Sequence, residues 1–335
     1  MGMIGLRNVK IRTLKVNIDL QLKRKFTLIA GDSATGKTVF RNLLLPESHA
    51  KIICDINISV LPTSKSQYRY VLEHAHNEIF VIDETVEDLN TYEFSQLVRK
   101  SDCYFILETR EFLAGIPVSV KEYYKFCDRD GVTCLTEYFS YDTDTIKESQ
   151  RNLTEDKNSG NQFFSFAFDN ECDSFCGLAN FYKINDIIDH DLDYSIIVDG
   201  AAFGMYLPFV FNIKCKRLCI YMPESFEYLL LKTGYIMHED IDLDNIYYYC
   251  DNSTFDLDFA TDGFNRTTDI VSWENFYYEF LRYSTWHDYN FKYNKSILSK
   301  SYLTKRFVDS VLSIKVPCLC FDNDSDKFCE SLNVF

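Results

Sequence analysis

The chain has 335 residues, 46% of them hydrophobic and 25% charged, which is ample material for a folded core and excludes wholesale disorder. Its length suggests two domains of roughly 150 residues each. A net charge of −15 excludes a surface that tracks nucleic acid along its whole length, because such binding relies on Lys and Arg displacing counterions from phosphates.

Positive charge is concentrated near the start. Up to Leu44, the residues Arg7, Lys10, Arg12, Lys15, Lys23, Arg24, Lys25, Lys37 and Arg41 face only Asp19 and Asp32. This is either a solvated face or a contact for a protein or nucleic-acid partner. No continuous apolar leader opens the chain, so a cytoplasmic protein with reduced thiols is expected. The pairs Cys172 and Cys176, Cys215 and Cys219, and Cys318 and Cys320 lack the two-residue gap of a zinc knuckle, so no zinc is expected. The uncharged stretch 200–213 is shorter than the ~20 residues of a membrane span and contains Gly204 and Pro208, so no membrane association is expected.

In chain order, residues 14–22 alternate between apolar and polar, the pattern of a half-buried strand. After the polar turn Lys23-Arg24-Lys25, residues 26–30 read as a second strand, giving an antiparallel hairpin that leads into GDSATGKT. Residues 37–45 are helical in pattern and end at Pro46. Further strands are expected over 51–60, 78–83 and 103–107, with a helix over 86–100 between the last two. A hairpin over 118–139 turns at Asp128-Arg129-Asp130-Gly131. From 141 to 162 only Tyr141, Ile146 and Leu153 are apolar, which predicts a polar linker. Strands over 163–169, 194–199 and 217–222 and a mostly helical segment over 273–313 predict a second α/β domain. The expected organisation is therefore a domain over 1–140, a linker over 141–162 and a domain of unknown task over 163–335.

The stretch GDSATGKT matches G-x-x-x-x-G-K-[ST] and lies between a strand and a helix, the context that gives the pattern its meaning. Gly31 and Gly36 permit backbone conformations in which the amides of Gly31, Asp32, Ser33, Ala34, Thr35 and Gly36 turn inward around phosphate oxygens. The helix start adds donors and partial positive charge, Lys37 can reach the β and γ phosphates, and the Thr38 hydroxyl can ligate Mg²⁺.

With these residues the chain resembles a P-loop NTPase, and EIFVIDE, residues 78–84, resembles its Walker B strand. A carboxylate directly after the Walker B Asp is the pattern of the additional-strand, catalytic-glutamate division, which includes AAA+ and ABC-type ATPases. The resemblance covers residues 1 to about 140 and implies an α/β P-loop sheet flanked by antiparallel hairpins, with ATP and Mg²⁺ as ligands. It further implies that Asp83 holds the metal, that Glu84 polarises the attacking water, and that Thr109 senses the γ phosphate. Arg110 is either an arginine finger for a neighbouring copy or a surface ion-pair partner, which leaves a homo-oligomer open. No LSGGQ-like signature follows, and what comes after the sheet is not an all-helical lid, so the family within the division stays unresolved.

In the second half, Asp169 with Glu171, Asp199, and Glu224 are expected just past strand ends, where ligands gather in open α/β sheets. The order faintly resembles a Toprim nuclease, although Ala201 stands where that fold's second Asp is expected. The alternative is that Asp199, Ser174 and Glu224 cap or start helices. The sequence expectation is thus a Mg-dependent ATPase driving or gating a C-terminal effector domain. Its alternatives are a slowly hydrolysing switch, a phosphotransferase using Glu84 as base, and an ATPase fused to a Toprim-like nuclease.

Overall fold

A computed structural model describes residues 6–30, 36–45, 47–109, 112–113, 115–138, 142–236, 242–244 and 273–322. The fold is α/β with three sheets. These described residues form two compact units, one built from those within 6–138 with Asp244 and the other from those within 142–243 together with 273–322.

In the first unit, β1 (Arg7–Arg12) pairs antiparallel with β2 (Asn17–Leu22). The alternation read in the sequence holds for β2, where Ile18, Leu20 and Leu22 are buried, but not for Leu14, which is 99% exposed. β3 (Phe26–Ala30) and α1 (Lys37–Leu43) follow, and β4 (Lys51–Cys54) returns to the other side of β1. The expected hairpin between β2 and β3 does not form, because β2 spends its pairing on β1 while β3 enters a different sheet.

That second sheet comprises β3, β5 (Ile58–Val60), β6 (Ile79–Asp83), β7 (Tyr104–Glu108), β8 (Tyr123–Arg129) and β9 (Val132–Glu137) in the order β5-β6-β7-β3-β8-β9. All neighbours are parallel except β8 and β9, which form the antiparallel hairpin around Asp130 and Gly131. β3, β6 and β7 are buried along their whole length, as near-continuous apolar runs in parallel strands require. Helices α2 (Lys65–His74) and α3 (Tyr92–Lys100) are the crossovers into β6 and β7. The expected strand over 51–60 is divided between β4 and β5, in different sheets. The expected helix over 86–100 begins only at Tyr92, where the Thr91 hydroxyl accepts the Phe94 N–H. Phe40 of α1 packs with Val9, Ile18, Leu20, Ile29, Val81 and Ile106, so one core ties both sheets of this unit together.

The second unit carries β10 (Asp142–Thr145), β11 (Arg151–Thr154), α4 (Ser159–Ala167), β12 (Asp173–Ser174), β13 (Asp193–Ile197), α5 (Leu207–Val210), β14 (Arg217–Tyr221), α6 (Phe226–Lys232), α7 (Trp273–Ser284), α8 (Lys305–Leu312) and β15 (Lys315–Asp322). Its sheet order is β10-β15-β14-β13-β11-β12, parallel from β14 to β12 and antiparallel at β15 and β10. The stretch 141–162 is therefore not a linker. It supplies an edge strand, an inner strand and the start of a helix. Ile146 and Leu153 are buried, and its polar residues sink because they are bonded: Asn152 Oδ1 accepts the Ser149 N–H and Thr154 Oγ1 donates to the Asp156 carbonyl. The expected strand over 163–169 is also corrected, since 163–167 lie in α4. Gly200 follows β13 where a Cβ would lie 2.6 Å from the Met222 carbonyl oxygen, so the backbone there passes too close for any side chain. Cys219 and Cys320, directly opposite across β14 and β15, are joined as a disulfide, which corrects the expectation that all thiols are reduced. Among the described residues no helix is long and apolar enough to cross a membrane.

Candidate functional site

Strand order decides what meets in the first unit. β7 stands between β3, which leads toward α1, and β6, which ends in Asp83. All three run parallel, so the start of α1 and the acidic tips of β6 and β7 come to the same edge of the sheet. Asp83 and Glu108 are register partners at those tips, 4% and 2% exposed. Arg41, one turn beyond Lys37 on α1, reaches both: its Nη1 pairs with Asp83 Oδ2, and its Nε lies 3.1 Å from Glu108 Oε2. Arg41 Nη2 also lies 3.5 Å from Thr38 Oγ1.

The other oxygen of Asp83, Oδ1, accepts the Thr85 N–H at 2.6 Å and the Thr85 hydroxyl. Among the described residues neither oxygen of Glu108 accepts a hydrogen bond, so the contact with Arg41 is made outside hydrogen-bond alignment. Burial pushes the Glu108 carboxyl up to about 8, against the pull of Arg41 and Lys37 in the other direction.

Of the residues expected from the sequence, Gly31, Asp32, Ser33, Ala34, Thr35 and Arg110 lie outside the described residues. Gly36 caps α1 with φ 109°, a left-handed conformation suited to glycine, and its carbonyl accepts the Phe40 N–H at 2.9 Å. Lys37 is half-buried as the first residue of α1, and Thr38 is exposed beside Arg41. Asp83 and Thr109 are buried, and Glu84 is exposed. Thr38 and Asp83, the expected metal ligands, are thus brought to one guanidinium. Sequence reasoning missed Arg41 and Glu108, which carry no motif of their own. Their only signal was the acid at the end of a second apolar run, FILE.

The basic N-terminal face is largely consumed in pairing. Arg7 pairs with Asp55, Lys10 and Arg12 with Asp19, Arg24 with Glu122, and Arg41 as described. Lys25 is 7% exposed and its Nζ donates to the carbonyls of Arg99 and Ser101 at the end of α3.

The second unit gathers a different set of acids. Glu155 follows β11 and Asp199 follows the neighbouring parallel strand β13; Glu155 Oε2 accepts the Asp199 N–H at 3.1 Å. Asp199 Oδ1 in turn accepts the Phe226 N–H at 3.0 Å, so it satisfies a first-turn donor of α6 from another segment, while the cap of α6 itself is Ser225, whose hydroxyl accepts the Tyr228 N–H. Glu227, 1% exposed, accepts from the Tyr293 hydroxyl at 2.6 Å, and that hydroxyl lies 2.8 Å from Ser159 Oγ. Glu155, Ser159, Asp199, Phe226 and Glu227 line, together with Lys295, a cavity of about 30 Å³. Burial, and then Glu274, pushes Glu155 up to about 8; burial, and then Glu155, holds Asp199 well above the usual carboxylate range. Asp169 and Glu171 are exposed beyond α4 and not at a strand end, which corrects their expected placement. Glu155, placed in the supposed linker, is the acid that meets Asp199. Among the described residues no group of three or more His, Cys, Asp or Glu has metal-holding geometry.

No known family profile and no curated protein matches this chain.

Proposed function

We propose that this chain binds ATP and hydrolyses it with Mg²⁺ in the first unit. The observation that carries the reading is the convergence of Thr38, from the end of the phosphate-loop motif, and Asp83, from the tip of β6, on one cation. The interposed strand β7 is what the name of the additional-strand division describes, which supports the same reading. Magnesium fits the residues present: Thr38 Oγ1, Asp83 Oδ2 and Glu108 Oε2 are hard oxygen donors already collected around a positive charge. Bound with ATP, the metal would neutralise charge on the phosphate oxygens.

Lys37 supplies a second positive charge to those oxygens. Glu84, exposed at the tip of β6, orients the attacking water and accepts its proton. Thr109, buried after β7, offers a hydroxyl toward the γ phosphate. The test follows labelled γ phosphate. Release as inorganic phosphate that needs Mg²⁺ and is lost in Lys37→Ala and Asp83→Asn is the expected result. Transfer of the label to a small hydroxyl compound, or release indifferent to both substitutions, sinks it.

A second reading, an ATPase joined to a Toprim-like nuclease, is favoured by the meeting of Glu155 and Asp199 at the tips of adjacent parallel strands. The carboxylates are engaged by backbone N–H groups, and Lys295 pairs with Glu274 at 3.9 Å. It predicts Mg²⁺-dependent DNA cleavage that disappears in Asp199→Ala and in Glu155→Gln; cleavage retained in both variants removes this reading.

A further inference from the structure

The cation around which the oxygens of the first unit gather is part of the protein. Arg41 holds Asp83 through Oδ2, while Thr85 holds Oδ1 from the other side, so both oxygens of the proposed metal ligand are engaged. The same guanidinium faces Glu108 and Thr38. A magnesium ion seeking Asp83 and Thr38 meets a positive charge on the same oxygens, and the two cannot share them, because like charges at such separations repel strongly.

Arg41 is also placed to leave. Its side chain is 25% exposed, and α1 presents Thr38 and Val39 to solvent on the neighbouring turn. The aliphatic stem can therefore swing the guanidinium outward without unwinding the helix. The Asp83 carboxylate it would abandon is nearly inaccessible, so its departure is favourable only when another cation takes its place.

We propose that Arg41 is an exchangeable internal cation whose release from Asp83 and Glu108 accompanies Mg–nucleotide binding, so that Arg41 sets the magnesium concentration the site requires. The inference rests on the ATP-binding reading and assigns that site a regulator. Arg41 is a positioning residue in this scheme: it acts through Asp83 and does not contact the reacting phosphate.

The experiment titrates Mg²⁺ into the full chain at a fixed concentration of a fluorescent, non-hydrolysable ATP analogue. It uses wild type, Arg41→Gln, Arg41→Lys and Lys37→Ala, each first shown to be folded by thermal melting. Half-saturation with Mg²⁺ is expected to fall at least about fivefold in Arg41→Gln, the lower end of ordinary coupling between competing events. Arg41→Lys keeps the charge but is too short to span both carboxylates. It is expected to shift in the same direction, and it decides the matter if Arg41→Gln does not fold. Wild-type binding that depends on Lys37, with a magnesium requirement unchanged or raised in the Arg41 variants, overturns the exchange and leaves the ATP reading standing. Wild type that binds no analogue at any Mg²⁺ concentration overturns both.

Discussion

Asp83 and Glu84 are adjacent in sequence yet live in different media. Asp83 is buried, held by Thr85 and Arg41, and suited to fixing a cation; Glu84 is exposed and suited to handling water. Their division of labour leads to a distinct expectation for Glu84→Gln: affinity for Mg–ATP close to wild type, with turnover lowered about 10²-fold or more, the usual contribution of a positioned general base. Single-turnover phosphate release beside equilibrium nucleotide binding measures the two separately, and equal losses in both would contradict the assignment. That Lys37 and Thr38 open a helix and that Asp83 ends a buried strand was legible in the sequence, because these placements follow short local patterns. Arg41 and Glu108 were not, since their meeting depends on β7 lying beside β3, a non-local fact that no spacing encodes. Glu155 was hidden for another reason. The polar composition around it imitates a linker, while its neighbours are buried by satisfying one another's hydrogen bonds.

Among the elements, α3 shows how a buried charge becomes part of the framework. Lys25, at the head of β3, donates to two carbonyls at the C-terminal end of α3, groups that the helix itself cannot satisfy. Burial lowers its amine from 10.5 to about 8. A lysine whose folded value is depressed binds fewer protons folded than unfolded across that window. Stability therefore rises as pH climbs from about 8 toward 10.5, by roughly 3 to 4 kcal/mol at ~1.4 kcal/mol per unit. Lys25→Met lacks this contribution. Denaturant unfolding of both proteins at about pH 7.5 and about pH 10 is expected to show the difference moving in favour of wild type at the higher pH; a constant difference contradicts the placement. Several elements could be read in advance. β6 and β7 are continuous apolar runs, and the hairpin of β8 and β9 is marked by its Asp-Gly turn. The run at 163–167 was misread as a strand because a short aromatic stretch has no decisive period; its Phe163 and Phe164 pack on Phe226 from one face of α4.

At the scale of the whole molecule, two units each bury their own parallel strands, and each brings acids to the C-terminal edge of its sheet. Only the first also brings the end of a phosphate-loop motif, and that difference is why ATP chemistry is proposed there. The acidic balance of the chain does not contradict a site for an anionic ligand, since the charges that matter are the local ones, Lys37 and Arg41 against Asp83. Calorimetric titration of Mg–ATP into wild type and Lys37→Ala tests the central claim most directly. The account predicts saturable binding to wild type that Lys37→Ala loses while keeping its fold. Identical binding isotherms for the two proteins, or no heat from wild type at saturating Mg–ATP, would contradict it.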